Sequence, residues 1–366
     1  MQEIFDFNSI KNLLQGKGEF KKPFRILVDC MHGVTGPYAK KLFCDIFGAE
    51  PSSVLHATPL EDFGGGHPDP NLTYAGGLVQ KLRNGEHDFG VAFDGDGDRN
   101  MVLGKNAFFV TPSDSLAVLC AHLHCIPYFQ KHGIKGFARS MPTAAAIDKV
   151  GSATRVSVYE VPTGWKFFGN LLDAGLISVC GEESFGTGSS HIREKDGIWA
   201  ALTWLSVIAH TNKCVEELLC DHWSTYGRNF TIRHDYEELD SAVANELMKK
   251  LEEKIGGLKD VSLVKEPVEY KVSLADNYSY SDLIDKSTVA NQGIRILFHN
   301  ESRIVFRLSG TGSSGATLRV YYEAYVKDVE CTRYPREVVL APLVAIADEV
   351  AQITKMTGRQ QPTVIT

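Results

Sequence analysis

Three aspartates at alternate positions, Asp94, Asp96 and Asp98, spaced by Gly95 and Gly97 and followed directly by Arg99, are the densest concentration of chemistry in this 366-residue chain. They end a short apolar run at 89–93 that reads as a buried strand. A spacing of two lets an extended or tightly turned backbone aim all three acids at one point, and the glycines permit such a turn. Carboxylates about 5 Å apart at an effective dielectric near ~20 repel by roughly 3 kcal/mol per pair, so the arrangement calls for a positive charge among them. All-oxygen ligands point to a hard divalent cation, Mg2+ or Ca2+. A solvated acidic turn is the plainest alternative, but a turn does not need an apolar strand feeding straight into it. An EF-hand needs Gly at its sixth position and Glu at its twelfth, where this chain has Arg99 and Lys105. A phosphoryl-transfer metal site, with Arg99 adding a donor fork, is the reading the residues favour.

Two further stretches carry chemistry. Residues 302–321 read as two strands flanking a loop of glycines and hydroxyls, with Arg307 and Arg319 at its rims. Amides from its glycines and hydroxyls of Ser309, Thr311 and Ser313 can form an anion nest, and the arginines supply charge-assisted bonds. No Gly-Lys-Ser/Thr follows, so a monophosphate ester fits better than a nucleotide. In the middle of the chain, Glu182, Glu183 and Ser184 follow an apolar strand and can bond sugar hydroxyls, while His191, Arg193 and Lys195 form a basic patch suited to a phosphate. A metal loop, a sugar loop and a phosphate loop together make a phosphosugar ligand the economical expectation.

The elements that must position these loops follow an α/β rhythm. A strand at 25–29, a helix at 37–47, a helix at 72–82 and the strand at 89–93 make one layer, with a Gly- and Pro-rich loop at 62–70 between. The pattern restarts: a strand at 136–140, a helix opening near Met141 and running to Val150, a strand at 155–159, a helix from Thr163 to Leu172, a strand at 177–180 and an apolar helix at 198–209. From about Asn229 the chain turns more polar, with a helix at 242–255, strands near 263–272 and 294–298 and a last helix at 338–353, which reads as α+β. The expected fold is therefore two consecutive α/β mixed-sheet domains followed by a C-terminal α+β domain, with boundaries at 1–110, 111–228 and 229–366.

Bulk properties fit this. A hydrophobic content of 43% and a charged content of 23% suit a soluble globular protein. The net charge of -7 gives no electrostatic reason to expect nucleic acid or an anionic membrane. No run is long enough to span a bilayer and the first ten residues lack signal-peptide character, so the cytoplasm is the expected location. The eight cysteines have no paired short spacing and read as reduced thiols. Cys120, His122, His124 and Cys125 could suggest zinc, but the apolar stretch at 116–126 reads as one buried helix that would spread them around its axis.

Residues 93–99, 181–186 and 307–313 resemble, in that order, the metal, sugar and phosphate loops of the α-D-phosphohexomutases, and 162–166 with the Thr-Val-Ile-Thr terminus resemble their eukaryotic phosphoglucomutase branch. The resemblance spans essentially the whole chain. It implies reversible interconversion of glucose 1-phosphate and glucose 6-phosphate through glucose 1,6-bisphosphate, in glucose and glycogen metabolism. It also implies Mg2+ bound by a serine phosphate and by Asp94, Asp96 and Asp98. Arg99 would lie beside that phosphoserine and share a catalytic role with Lys195. Thr163, Gly164, Glu182 and Ser184 would contact the sugar, Arg193 and Lys195 would border its phosphate or the transferred group, and Arg307, Ser309, Thr311, Gly312, Ser313 and Arg319 would clamp the non-reacting phosphate. A monomer is implied, with no nucleic-acid or membrane partner. The family's phosphoserine loop, of the type Thr-Ala-Ser-His-Asn-Pro, does not occur in these 366 residues. The expectation is therefore a chain equivalent to the family's second to fourth domains, inactive alone, with an apolar face where a first domain would dock. Two alternatives accompany it: a non-catalytic structural relative at adhesion sites, and a haloacid-dehalogenase-type phosphosugar phosphatase.

Overall fold

The computed structural model describes residues 1–265, 268–312 and 315–366, with backbone alone at 310–312. They form two compact units, Met1–Thr225 and Tyr226–Thr366.

The first unit holds two four-stranded sheets. One contains β1 (Ile26–Asp29), β2 (Val54–Leu55), β3 (Phe89–Phe93) and β4 (Asn100–Gly104), in the order β2-β1-β3-β4. The other contains β5 (Gly136–Ser140), β6 (Ser157–Val161), β7 (Val179–Gly181) and β8 (Thr187–Ser189), in the order β6-β5-β7-β8. In each sheet the first three strands are parallel and the fourth is antiparallel. The restart of the pattern read from sequence is thus a repeat of topology. β1, β3, β4 and β5 are buried along their whole length, as expected of strands covered on both faces. Because the fourth strand of each sheet runs back beside the third, both sheets carry a tight hairpin at the carboxyl end of their third strand, and both hairpins bear acids.

Several helices depart from expectation, each for a local reason. The segment expected as a helix over 37–47 is an α-turn, Gly36–Ala39, continuing as a π-helix, Lys40–Ile46, whose wide turns carry Phe43 and Phe47 into full burial, with the Phe47 ring 4.8 Å from Phe7. The helix expected from 72 starts at Gly76, because the Asn71 side chain accepts the amides of Thr73 and Tyr74 at 2.9 Å and holds a turn there. The helix expected from Met141 starts at Ala146, since Ser140 and Thr143 bond each other at 2.6 Å and reach Glu183. The stretch at 116–126 is not one helix. Pro112–Ala121 ends at His122, whose Nδ1 bonds the Val118 carbonyl at 2.8 Å, and a 3-10 turn, Leu123–Cys125, follows. Pro127 then opens the next helix and disfavours helical geometry at Ile126.

The second unit is a seven-stranded antiparallel sheet with helices Ser241–Ile255 and Arg336–Ala351 packed into its core. Its strands are β9 (Arg228–Leu239), β10 (Ser262–Lys265), β11 (Val268–Asn277), β14 (Ile294–Phe298), β15 (Arg303–Gly312), β16 (Gly315–Val326) and β17 (Val364–Ile365), in the order β10-β11-β14-β15-β16-β9-β17. A two-stranded ribbon, β12 (Tyr280–Ser281) with β13 (Thr288–Val289), completes it. The run expected as strand near 263–272 is the antiparallel pair β10 and β11. Arg303 on β15 and Glu323 on β16 face each other in register as a buried ion pair, and Asn229 Nδ2 donates to Glu323 at 2.6 Å. Among the described residues no helix is long and apolar enough to cross a membrane.

One buried group makes the first unit sensitive to acid. Burial, reinforced by His122, depresses the His222 imidazole from 6.5 to about 3. Between these values the unfolded chain binds a proton that the folded unit refuses, so stability is full above 6.5 and falls as pH drops toward 3, by up to about 1.4 kcal/mol per pH unit. All four tryptophans lie in Met1–Thr225, so tryptophan fluorescence follows this unit alone. His222→Leu is expected to flatten the acid limb of its pH–stability curve by about that slope.

Candidate functional site

β3 delivers the acidic loop expected to bind metal. Its buried strand ends in Asp94, which is 2% exposed and accepts the Arg99 amide at 3.0 Å and Arg99 Nε at 2.6 Å. The loop closes on itself through the Gly97 amide, which donates to the Asp94 carbonyl, and Gly97 takes φ 79 against Thr35, where a Cβ would lie 2.4 Å from the threonine methyl. Oxygens of Asp94, Asp96 and Asp98 lie within 4.8 Å of one another, with Asp94 buried, Asp98 half-buried and Asp96 exposed. Their charge is met from two sides. The Arg99 guanidinium also bonds Asp69 through Nη1 at 2.9 Å, and Lys195 Nζ reaches Asp98 at 2.9 Å. Beside the acids is a pocket of about 530 Å3, lined by His32, Phe63, Pro68, Asp94, Asp96 and Arg99 among others. Three converging carboxylates, one of them exposed to that pocket, fit a hard cation such as Mg2+.

β7 delivers the loop expected to bind sugar from the matching hairpin of the second sheet. Glu182 is buried, its amide bonded to the Gly186 carbonyl at 2.8 Å, and Ser184 is half-buried. Burial, then the neighbouring Glu183, push the Glu182 carboxyl above its usual range against the pull of Lys195 and the Gly164 amide. Glu183 turns away to Ser140 and Thr143, whereas Glu182 faces Lys195, so the two adjacent glutamates serve different surroundings. Thr163 holds a buried hydroxyl with no hydrogen-bond partner among the described residues, and Gly164 takes φ 125, a conformation open only to glycine at ordinary strain.

The metal and sugar loops are joined edge to edge. Arg99 and Gly186 form an isolated antiparallel bridge, and the Asn100 amide donates to the Phe185 carbonyl at 3.0 Å. The Gly197 amide, at the start of the helix Gly197–Thr211, donates to the Gly97 carbonyl at 3.0 Å. This contact demands a bare backbone, since a Cβ on Gly197 would sit 2.8 Å from the Arg99 carbonyl oxygen. Lys195 spans both loops, 2.9 Å from Asp98 and 3.7 Å from Glu182. Burial would lower its pKa, but the hydrogen bond to Asp98 and the charges of Glu182 and Asp98 outweigh that and raise it.

The basic patch expected at 191–195 divides three ways. Lys195 enters the site. Arg193 is exposed, pairs with Asp173 and lends its carbonyl to Trp165 Nε1 at 2.7 Å. His191 is half-buried, with its ring held between Ser189 Oγ at 2.5 Å and Asp196 at 3.2 Å and stacked on Trp199. Sequence reasoning missed Asp69, which holds Arg99 from the Gly- and Pro-rich loop and whose only signal was that loop's proximity in order to the acids. Removing Lys195 should free Asp98 for a cation: Lys195→Met is expected to tighten Mg2+ binding by about 1 kcal/mol, roughly fivefold, by calorimetric titration.

In the second unit, Arg307 and Arg319 are paired across β15 and β16, and Arg307 Nη1 lies 3.4 Å from the Tyr321 hydroxyl. Arg319 Nε lies 3.8 Å from Asp235, and Ser309 faces Thr317 just before the register of the hairpin shifts. The side chains of Thr311 and Ser313, and the surroundings of Gly312, lie outside the described residues.

Models of known protein families match successive stretches of the chain. Residues 7–107 match the family model for phosphoglucomutase/phosphomannomutase α/β/α domain II, 112–226 match that for domain III, and 228–363 match the phosphoglucomutase-1 C-terminal domain. The chain is 56% identical to "Phosphoglucomutase-1" of Homo sapiens over 371 residues, and 49% identical to "Phosphoglucomutase-like protein 5" of Homo sapiens, in each case over all of this chain. It spans 65% and 64% of those relatives' length. A solved structure, the exocytosis-sensitive phosphoprotein pp63/parafusin (phosphoglucomutase) from Paramecium in its open form, superposes with a TM-score of 0.89 at 49% identity, covering 100% of this chain and 63% of that one. With three successive domain models of one family matched in order along its length, the chain belongs to the phosphoglucomutase/phosphomannomutase family.

Proposed function

We propose that the chain carries the metal-, sugar- and phosphate-binding apparatus of a phosphoglucomutase, which interconverts glucose 1-phosphate and glucose 6-phosphate through glucose 1,6-bisphosphate. The observation that carries this reading is Lys195, an ammonium set between a metal-loop carboxylate and a sugar-loop carboxylate on two joined hairpins. Mg2+ bound by Asp94, Asp96 and Asp98 would offset charge on a transferring phosphoryl group. The chain's own residues do the positioning. Arg99, fixed by Asp94 and Asp69, presents a rigid donor fork, and Lys195 neutralises a phosphoryl oxygen arriving between the loops. Glu182, Ser184, Thr163 and the Gly164 backbone orient sugar hydroxyls, with Arg193 at the margin. Arg307, Ser309, Thr311, Gly312, Ser313 and Arg319 hold the non-reacting phosphate.

The reading keeps three domains at 1–110, 111–228 and 229–366, a cytoplasmic setting and a monomer. Family membership displaces the phosphatase alternative. Against a purely structural role stand the complete acid triad and the placement of Lys195. Because no Thr-Ala-Ser-His-Asn-Pro run occurs in these 366 residues, a polypeptide of this sequence assayed by itself should bind Mg2+ and glucose phosphates without turning them over. Calorimetry with Mg2+ and glucose 1-phosphate, alongside a coupled mutase assay, tests both halves. Failure to bind either ligand would overturn the site, and turnover would overturn the assignment of the nucleophile to a serine loop absent from this sequence.

A further inference from the structure

Three imidazoles gather at the far end of the helix Gly197–Thr211 from the acidic loop. His122 caps the helix Pro112–Ala121, His124 lies in the short turn that follows, and His210 comes from the last turn of Gly197–Thr211. The His122 and His124 ring centres are 6.1 Å apart, near parallel, and those of His124 and His210 are 5.9 Å apart, near perpendicular. Two imidazoles sharing one ion at a Zn–N distance of about 2 Å place their ring centres roughly 5 Å apart, so both pairs come within reach of one ion once the rings turn their nitrogens toward it. His122 Nδ1 is committed to the Val118 carbonyl at 2.8 Å, which leaves Nε2 as its ligand nitrogen, the carbonyl-anchored arrangement common behind metal-binding histidines. His124 and His210 are exposed, so turning their rings onto one ion disturbs no packed core.

We propose that His122, His124 and His210 form a second metal site, selective for a borderline transition cation of the Zn2+ type and separate from the acidic loop. Nitrogen donors of this kind bind Zn2+, Ni2+ or Cu2+ and discriminate against Mg2+, whereas the three aspartates offer the all-oxygen donor set that suits Mg2+. Cys125 is not a ligand in this set, since its Sγ donates to the His122 carbonyl. Lys213, whose charge reaches His122, is held by Asp221 at 2.5 Å, which offsets its repulsion of a cation. A solvent molecule completes the coordination. The metal ties the end of one helix to the end of another across the turn that breaks the 116–126 segment.

Calorimetric titration of the reduced chain with Zn2+, in excess Mg2+, tests this. The expected result is one Zn2+ bound per chain in the micromolar range or tighter, undisturbed by Mg2+. His124→Ala and His210→Ala should each weaken it by about tenfold or more, while Asp96→Asn leaves it unchanged. Zn2+ should also raise the melting temperature read by tryptophan fluorescence, and that rise should vanish in His124→Ala. Melts without Zn2+ establish that the variants fold. No binding by the wild type, binding that Mg2+ competes away, or Zn2+ affinity retained in the His124→Ala/His210→Ala double variant overturns the site.

Discussion

Asp94→Ala should abolish Mg2+ binding and lower the stability of the Met1–Thr225 unit by about 2–4 kcal/mol, whereas Asp96→Asn should weaken Mg2+ binding at nearly unchanged stability. The difference follows from burial. Asp94 is 2% exposed and accepts both the amide and Nε of Arg99, so its loss strands a half-buried guanidinium that keeps Asp69 as its close partner. Asp96 is exposed at the tip of the same loop and gives up little beyond a ligand oxygen. Urea unfolding followed by tryptophan fluorescence, paired with Mg2+ titration, separates the two effects. Equal stability losses in the two variants would show that Asp94 has no structural share in the loop.

The second large effect belongs to the other unit. Glu323→Leu should destabilise Tyr226–Thr366 by about 3–5 kcal/mol, because it deprives the buried Arg303 guanidinium of its facing carboxylate and the Asn229 amide of its acceptor. Pairing it with Arg303→Met should recover much of the loss, since two apolar side chains of similar size need no counter-charge. No tryptophan lies in this unit, so amide hydrogen exchange along β15 and β16 is the suitable readout. A double variant no more protected than Glu323→Leu alone would show that the pair supplies more than charge balance.

The acid triad was legible because alternation along a strand end is a local property: Asp94, Asp96 and Asp98 converge whatever the rest of the chain does. The two α/β sheets were legible for the same kind of reason, through buried apolar runs such as Phe89–Phe93. Helix starts were not, because they depend on competition from side chains. Asn71 holds back one helix and the Ser140, Thr143 and Glu183 cluster another, and neither competition shows in hydrophobic periodicity. The break at His122 is hidden because an apolar run, 116–121, leads into it, and Pro127, which disfavours helix at Ile126, lies beyond it. Roles within 191–195 were hidden because a loop has no fixed period: His191, Arg193 and Lys195 alternate in sequence yet point into the core, toward solvent and into the site. The pairing of Arg99 with Asp69, thirty residues apart, is set by tertiary packing alone.

The bridge between Arg99 and Gly186 has a thermodynamic consequence. Under the proposed function one of these hairpins would hold a cation and the other a sugar, and because they share backbone hydrogen bonds, a ligand that orders one would also order part of the other. Occupancy of the two loops would then be linked, and linkage is reciprocal: whatever factor a divalent ion adds to the affinity for sugar, the sugar must return in full to the affinity for the ion.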